Sequence, residues 1–345
     1  MRRSPPKSKS INKAVELHRT SVVADLHVDT LISNAICGYD LTKRHRNPVP
    51  LSPFFFHADL PRVRDAGVDI WGLGLVVSPL FPKRVRFARV RGRLEHLNGV
   101  CEKTSGFYVI RTRKDLERGL SEKHVGALPG LEGAHPVGGD LALVRELFDL
   151  GMRYLTLAHF SGNEACHCAM GLGSRRGRDE GLSDFGKKLV DEIHRLGVIL
   201  DLAHVNRAGF MEACGRSEKP VFVSHTGVCG VHKTWRNIDD EQIEAVAKTG
   251  GVVGIMFSPK FLTGSNFAPL KAVADHILHV VKIGGADCAA YGSDMDGWLT
   301  TMPRGFDDMA DLPKVTALLM DSGLPEKDVK KIIGGNVKRV LCAVL

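Results

Sequence analysis

An alternation of eight short, β-rich apolar runs with helix-like stretches predicts an α/β protein folded as a closed (β/α)8 barrel of the TIM type. Apolar strands separated by helices imply a parallel sheet covered on both faces. Eight is the strand count of the barrel. The competing architecture, a doubly wound open sheet, calls for a nucleotide-binding turn, and no GxGxxG or GxxxxGKS/T follows any of the runs. The glycines of Ile283–Ala286 precede a run, which is the wrong side. The length of 345 residues suits one such barrel.

Taken in order, residues 1–20 hold six Lys/Arg against one Glu and read as a basic, disordered tail, with residues 21–345 forming a single catalytic domain. The β-type runs are Val22–Asp29, Val68–Val77, Val125–Glu132, Tyr154–His159, Val198–His204, Val221–His225, Gly251–Phe257 and Ala289–Asp294. The clearest helix is Ser183–Leu196. Ser183 suits its N-cap, Phe185, Leu189, Ile193 and Leu196 recur at helical spacing, and Gly197 stops it. Asp239–Lys248, Lys271–Ile283 and Glu326–Val344 read as helices on similar grounds.

Composition narrows the classes. The chain is 43% hydrophobic and 25% charged, an ordinary globular balance. No apolar run approaches the roughly 18 residues of a membrane span. The formal charge of +8 is concentrated in the tail and in residues 83–93, whose six Lys/Arg face no acid; the rest of the chain is net acidic. A main role in nucleic-acid binding loses its support there. If residues 83–93 are helical, Arg86, Arg89 and Arg93 share a face, read as solvated. Eight cysteines without a CxxC and a polar N-terminus without a secretory apolar stretch point to reduced thiols in the cytoplasm.

Chemistry gathers at the ends of the runs. His27 and Asp29 lie two apart, hence on one face of their strand. Glu132, His159, His204, His225 and Asp294 each end a different run. In a barrel these are the rim positions where active sites assemble. One histidine at a strand end is ordinarily a satisfied rim residue. Four imidazoles and three carboxylates on one rim would leave buried charges unpaired, and they suit Zn²⁺ or a related ion, with a shared carboxylate allowing two metals. Cys166, His167 and Cys168 look like a cluster, but neighbours in a loop point apart, so free thiols are the reading. His135 and His232 are read as outer-shell or surface residues, and Cys229 as no nucleophile. Trp235 either lines the pocket or packs.

The ordered set DLHVDTL, GLEGAHP, RYLTLAHFSGN, GVILDLAHV, VFVSHTG, TWRNIDDEQI, GSDMDG and GGNVKRVL resembles the membrane (renal) dipeptidases, binuclear zinc peptidases of the amidohydrolase superfamily, over residues 21–341. The resemblance implies a barrel of the metal-dependent hydrolase type that hydrolyses dipeptides, L,D-dipeptides included, through a metal-bridging hydroxide. It makes His27 and Asp29 ligands of one Zn²⁺, His204 and His225 ligands of the second, and Glu132 the bridging carboxylate. Asp294 takes the role of proton carrier, His159 that of the imidazole on the scissile carbonyl or oxyanion, and Arg236 that of the clamp on the substrate carboxylate. A homodimer is a further expectation. Relatives often carry an aromatic where Ser258 stands, and the Gly/Arg-rich segment 161–181 reads as a loop at the mouth. Two other readings compete. One is a different binuclear amidohydrolase acting on an N-acyl amino acid, cyclic amide or phosphoester; such enzymes often bridge their metals with a modified lysine, which no run here ends in. The other is a basic-surface protein that binds nucleic acid or membrane, with an inert barrel.

Overall fold

The computed structural model describes residues 8–45, 56–170, 179–299 and 301–345. Among them nine strands form one parallel sheet. They are β1 (Ala24–Val28), β2 (Ile70–Leu75), β3 (Phe107–Val109), β4 (Val125–Glu132), β5 (Tyr154–Thr156), β6 (Ile199–Asp201), β7 (Phe222–Thr226), β8 (Val252–Ile255) and β9 (Ala289–Tyr291). The eight predicted runs are the eight strands of the ring, paired in the order β1-β2-β4-β5-β6-β7-β8-β9. The ring closes where Val28 bridges Met295, through Asp29 N–H to Met295 O (2.8 Å) and Asp294 N–H to His27 O (2.9 Å). The unpredicted strand, β3, is three residues long and pairs with the lower half of β4 while β5 pairs with the upper half. Too short to show a period, it leaves the eight-stranded ring intact.

The lower barrel is filled by Leu26, Ile70, Leu128, Tyr154, Ile199, Phe222 and Val252, and the C-terminal helix Asn336–Val344 packs Val337, Val340 and Leu341 against them. Burial of this kind stabilises the fold by roughly 1.5–3 kcal/mol per large side chain. The rim opposite this helix is the one that carries the polar residues. The helix Asp184–Leu196 begins and ends as its sequence predicts: Ser183 Oγ accepts from Gly186 N–H and Gly197 closes it in the left-handed conformation. The predicted helix Glu326–Val344 is interrupted. A wide turn, Lys331–Gly335, separates Glu326–Lys330 from Asn336–Val344, and a Cβ on Gly334 would lie 2.3 Å from Val22 O.

Two expectations need correction. Residues 8–20 are not a disordered tail but a helix, with Ala14, Leu17 and His18 buried. The His18 ring bridges Ala66 O (2.7 Å) and Thr316 Oγ1 (2.6 Å). Helical spacing of these three residues outweighs the charge count; residues 1–7 lie outside the described residues. The basic run does form a helix, Lys83–Lys103, yet of the three arginines on the shared face Arg86 and Arg93 are half-buried, with Arg86 Nε and Arg93 Nη1 unpartnered among the described residues, while Arg89 stays exposed, stacked on Phe81. No helix among the described residues is long and apolar enough to cross a membrane.

Candidate metal centre

Every rim residue singled out in the sequence arrives at one place. His27 and His225 sit within strands, Glu132 ends β4, and Asp29 follows β1 directly. His159, His204 and Asp294 each stand three residues beyond the ends of β5, β6 and β9, in loops rather than on strands as the sequence predicts. His204 and Asp294 adopt the left-handed backbone conformation (φ 64° and 61°). That is uncommon for residues with a side chain and turns each one back over the barrel mouth.

Glu132 is the hub. Its Oε1 lies 3.1 Å from His204 Nε2, 3.3 Å from His225 Nε2, and 3.6 Å from both His27 Nε2 and His159 Nε2. Asp29 Oδ1 is 3.4 Å from His27 Nε2, and the Nε2 atoms of His204 and His225 are 2.9 Å apart. Three sets of donor atoms fall within 4.8 Å: His27, Glu132 and His225; Glu132, His159 and His204; His27, Asp29 and Asp294. His27 Nε2, Asp29 Oδ1 and Glu132 Oε2 are buried and lack a hydrogen-bond partner among the described residues. Orphaned buried lone pairs are costly, and converging ones fit a divalent cation. Two glycines make the space. A Cβ on Gly74 would lie 2.0 Å from Asp29 Oδ1, and one on Gly130 would lie 1.9 Å from the Tyr154 ring.

Electrostatics separates the roles. Burial pushes the Glu132 carboxyl up, but the surrounding imidazoles outweigh it and hold it well below the carboxylate range. Burial drives His204 and His225 well below the usual imidazole value; burial pulls His27 the same way, but Tyr154, Glu132 and Asp29 outweigh it and hold that ring well above it. Burial, reinforced by Asp29, raises Asp294 well above its ordinary value, which suits a group that takes up and releases a proton. The Arg236 guanidinium is buried, donates to His225 O (2.7 Å), and is drawn down by burial to about 10, so it remains a cation at neutral pH.

Beneath the cluster lies a polar layer that the sequence reading missed. Tyr154 Oη is 2.9 Å from His27 Nδ1. Asp201 accepts from Thr156 Oγ1 and Ser224 Oγ, and Ser224 Oγ also meets His225 Nδ1. Beside it, Asp296 accepts from Thr30 Oγ1 and from His57 N–H (both 2.7 Å), bracing the loop of Asp294. The available signal was a charged residue inside a fully apolar run, Asp201 in VILDLAH.

The remaining candidates take other places. Cys166 and Cys168 are buried thiols and belong to none of the metal sets found among the described residues. His167 approaches Glu180, His135 contacts Val77 O through Nε2, and Cys229 donates to Asn237 O. Trp235 packs edge-to-face on Phe261 and stays 40% exposed, so of the two readings the structure shows the packing. Of the mouth segment 161–181, residues 171–178 lie outside the described residues.

A ring of eight parallel strands with a histidine–carboxylate cluster on its C-terminal rim defines a barrel hydrolase of the metal-dependent amidohydrolase type. The family model for membrane dipeptidase, peptidase family M19, matches residues 11–344, and the chain belongs to that family. It is a metal-dependent dipeptidase, and the nucleic-acid and membrane reading is not favoured. The chain is similar to the solved metallopeptidase dipeptidase AC of family M19, at 26% identity and a TM-score of 0.84, over 94% of this chain and 99% of that one. The probable dipeptidase PvdM from Pseudomonas aeruginosa shares the fold at 19% identity and a TM-score of 0.86, over 97% and 98%. A Rhodobacter sphaeroides metallopeptidase liganded with a phosphinate mimic of L-Ala-D-Ala shares it at 24% identity and a TM-score of 0.84, over 94% and 100%.

Proposed function

We propose that the site holds two zinc ions bridged by Glu132, with His27 and Asp29 on one and His204 and His225 on the other, and that it cleaves dipeptides with a free C-terminal carboxylate, L,D-dipeptides among them. The observation that carries this reading is the Glu132 carboxylate set between four imidazole nitrogens, beside orphaned lone pairs of His27 and Asp29. When bound, such a pair of cations lowers the pKa of a water and offsets the charge of a tetrahedral intermediate. The chain's own residues do the rest. Asp294 takes the proton from the attacking water on its carboxylate and returns it to the leaving amine. His159, partly exposed above Glu132, donates to the carbonyl oxygen as it becomes an oxyanion. Arg236 offers a buried cation to the terminal carboxylate, which favours dipeptides over longer chains. The L-Ala-D-Ala mimic bound by the Rhodobacter sphaeroides relative supports the inclusion of D-residues. Eight free cysteines support a cytoplasmic setting.

The test is a screen of L,L- and L,D-dipeptides before and after metal stripping. Hydrolysis lost on chelation, and restored by Zn²⁺ at two equivalents per chain, is the expected result. Full restoration by one equivalent, or hydrolysis that survives stripping, overturns the two-metal reading.

A further inference from the structure

The three buried histidines that face Glu132 differ in what holds the far side of the ring. His204 Nδ1 is buried with no partner among the described residues. His27 Nδ1 meets the Tyr154 hydroxyl, which can give or accept the proton. His225 is different, because its contact has a fixed direction. Asp201 is fully buried and takes four donors: Thr156 Oγ1 (2.5 Å) and Ser224 Oγ (2.7 Å) on Oδ2, Ser224 N–H (2.7 Å) and Ala203 N–H (3.2 Å) on Oδ1. Burial raises the Asp201 carboxyl against the pull of these four donors; as a carboxylate it only accepts, and the single hydroxyl hydrogen of Ser224 goes to it. The Ser224 lone pair that remains, 3.0 Å from His225 Nδ1, must then receive an N–H. The ring proton is thereby placed on Nδ1, and the Nε2 lone pair faces His204 Nε2, 2.9 Å away, and Glu132 Oε1, 3.3 Å away.

We infer that Asp201 is a positioning residue that acts through Ser224 to fix the tautomer of His225 before any metal arrives. The inference rests on the proposed reading of His225 as a metal ligand. The fold supplies the relay cheaply, since β5, β6 and β7 are adjacent strands and Thr156 is in register with Asp201. Outer-shell partners of ligating histidines typically govern metal affinity by about 10–100-fold.

Asp201→Asn gives the sharpest test because it reverses the relay without changing its shape. The two backbone N–H groups keep the amide oxygen at the Oδ1 position, which leaves the amide nitrogen facing Ser224 as a donor. Ser224 must then donate to His225 Nδ1, moving the ring proton to Nε2. The measurements are ¹⁵N correlation spectra of the histidine rings in metal-free protein, and zinc affinity by chelator competition. In Asp201→Asn the expected result is an Nε2–H tautomer at His225 with an affinity loss of about 10–100-fold. Ser224→Ala is expected to lose the preference for the Nδ1–H form with a smaller affinity loss. Ser224→Thr, which keeps the hydroxyl, is expected to stay within about threefold of the parent, so a loss of stability alone does not imitate the pattern. A His225 ring that keeps its proton on Nδ1 in both metal-free Asp201→Asn and Ser224→Ala overturns the relay. That readout involves no metal, so it is distinct from failure of the ligand assignment, which appears as undiminished zinc content in His225→Ala.

Discussion

Below the histidine–carboxylate cluster and above it, the barrel is built from different materials. Below, the polar groups belong to neighbouring strands and bond one another: Asp201 with Thr156 and Ser224, Tyr154 with His27. Above, the loops that follow β5, β7 and β9 present half-exposed aromatic rings, Phe160, Trp235 and Trp298, around the mouth. Phe160 lies with its ring 4.4 Å from His159 and 5.1 Å from His204. The difference teaches a division of labour. The lower layer rests on strands, which can hold a side chain to a fraction of an ångström, and the upper on loops, which can vary without disturbing the ring.

Substitutions can break or sharpen this contrast. The largest effect is expected at the boundary between the two layers. Glu132→Gln should lose more than about 100-fold in metal affinity, beyond the loss expected for an outer-shell partner, because one neutral amide cannot serve two cations. Metal analysis showing both ions retained would remove Glu132 from the hub. Next comes Asp294→Asn, expected to lower kcat by about 10²–10⁴-fold while metal content is kept, since it acts on protons. Loss of metal alongside activity would move Asp294 into the ligand set, where its proximity to His27 and Asp29 would place it.

Acid should act on the mouth through its support. His276 accepts from Val228 N–H at Nδ1 and contacts Leu262 O at Nε2, tying down the loop that carries Arg236, and burial lowers its pKa from 6.5 to about 4. The unfolded chain then binds the proton more readily. The contribution of His276, on the order of 3 kcal/mol, is complete above pH 6.5 and is lost as pH falls toward 4. Denaturant melts across that window check it, and a His276→Gln variant with the same pH slope as the parent would refute the assignment.

Smaller effects belong to the mouth itself. Arg236→Lys should raise KM for free dipeptides about tenfold, the worth of roughly one charge-assisted hydrogen bond, and leave C-terminally amidated substrates nearly unchanged. Equal losses on both would place the carboxylate clamp elsewhere. Phe160→Ala should alter stability by no more than about 0.5–1 kcal/mol yet change the preference among dipeptides by up to about tenfold. Unchanged preferences would mean that Phe160 does not meet the substrate side chain.

By itself the sequence determined the ring and the membership of its rim. Apolar runs of the right number point to a parallel barrel, and ionisable residues at the ends of such runs converge on one rim, so His27, Asp29, Glu132, His159, His204, His225 and Asp294 were readable as a set, though none of them alone. Turns with a left-handed backbone at His204 and Asp294 were not readable, because residues other than glycine rarely announce that conformation. The helical order of residues 8–20 was hidden for a different reason: its stability comes from burying Leu17 and His18 against residues far along the chain. Most of all, the tertiary structure alone decided which groups meet behind His225. Asp201, Ser224 and His225 come from two strands, and Thr156 from a third; only the register between those strands sets which atom donates and which accepts. Hydrogen-bond direction is a property of the assembled network, and no single segment carries it.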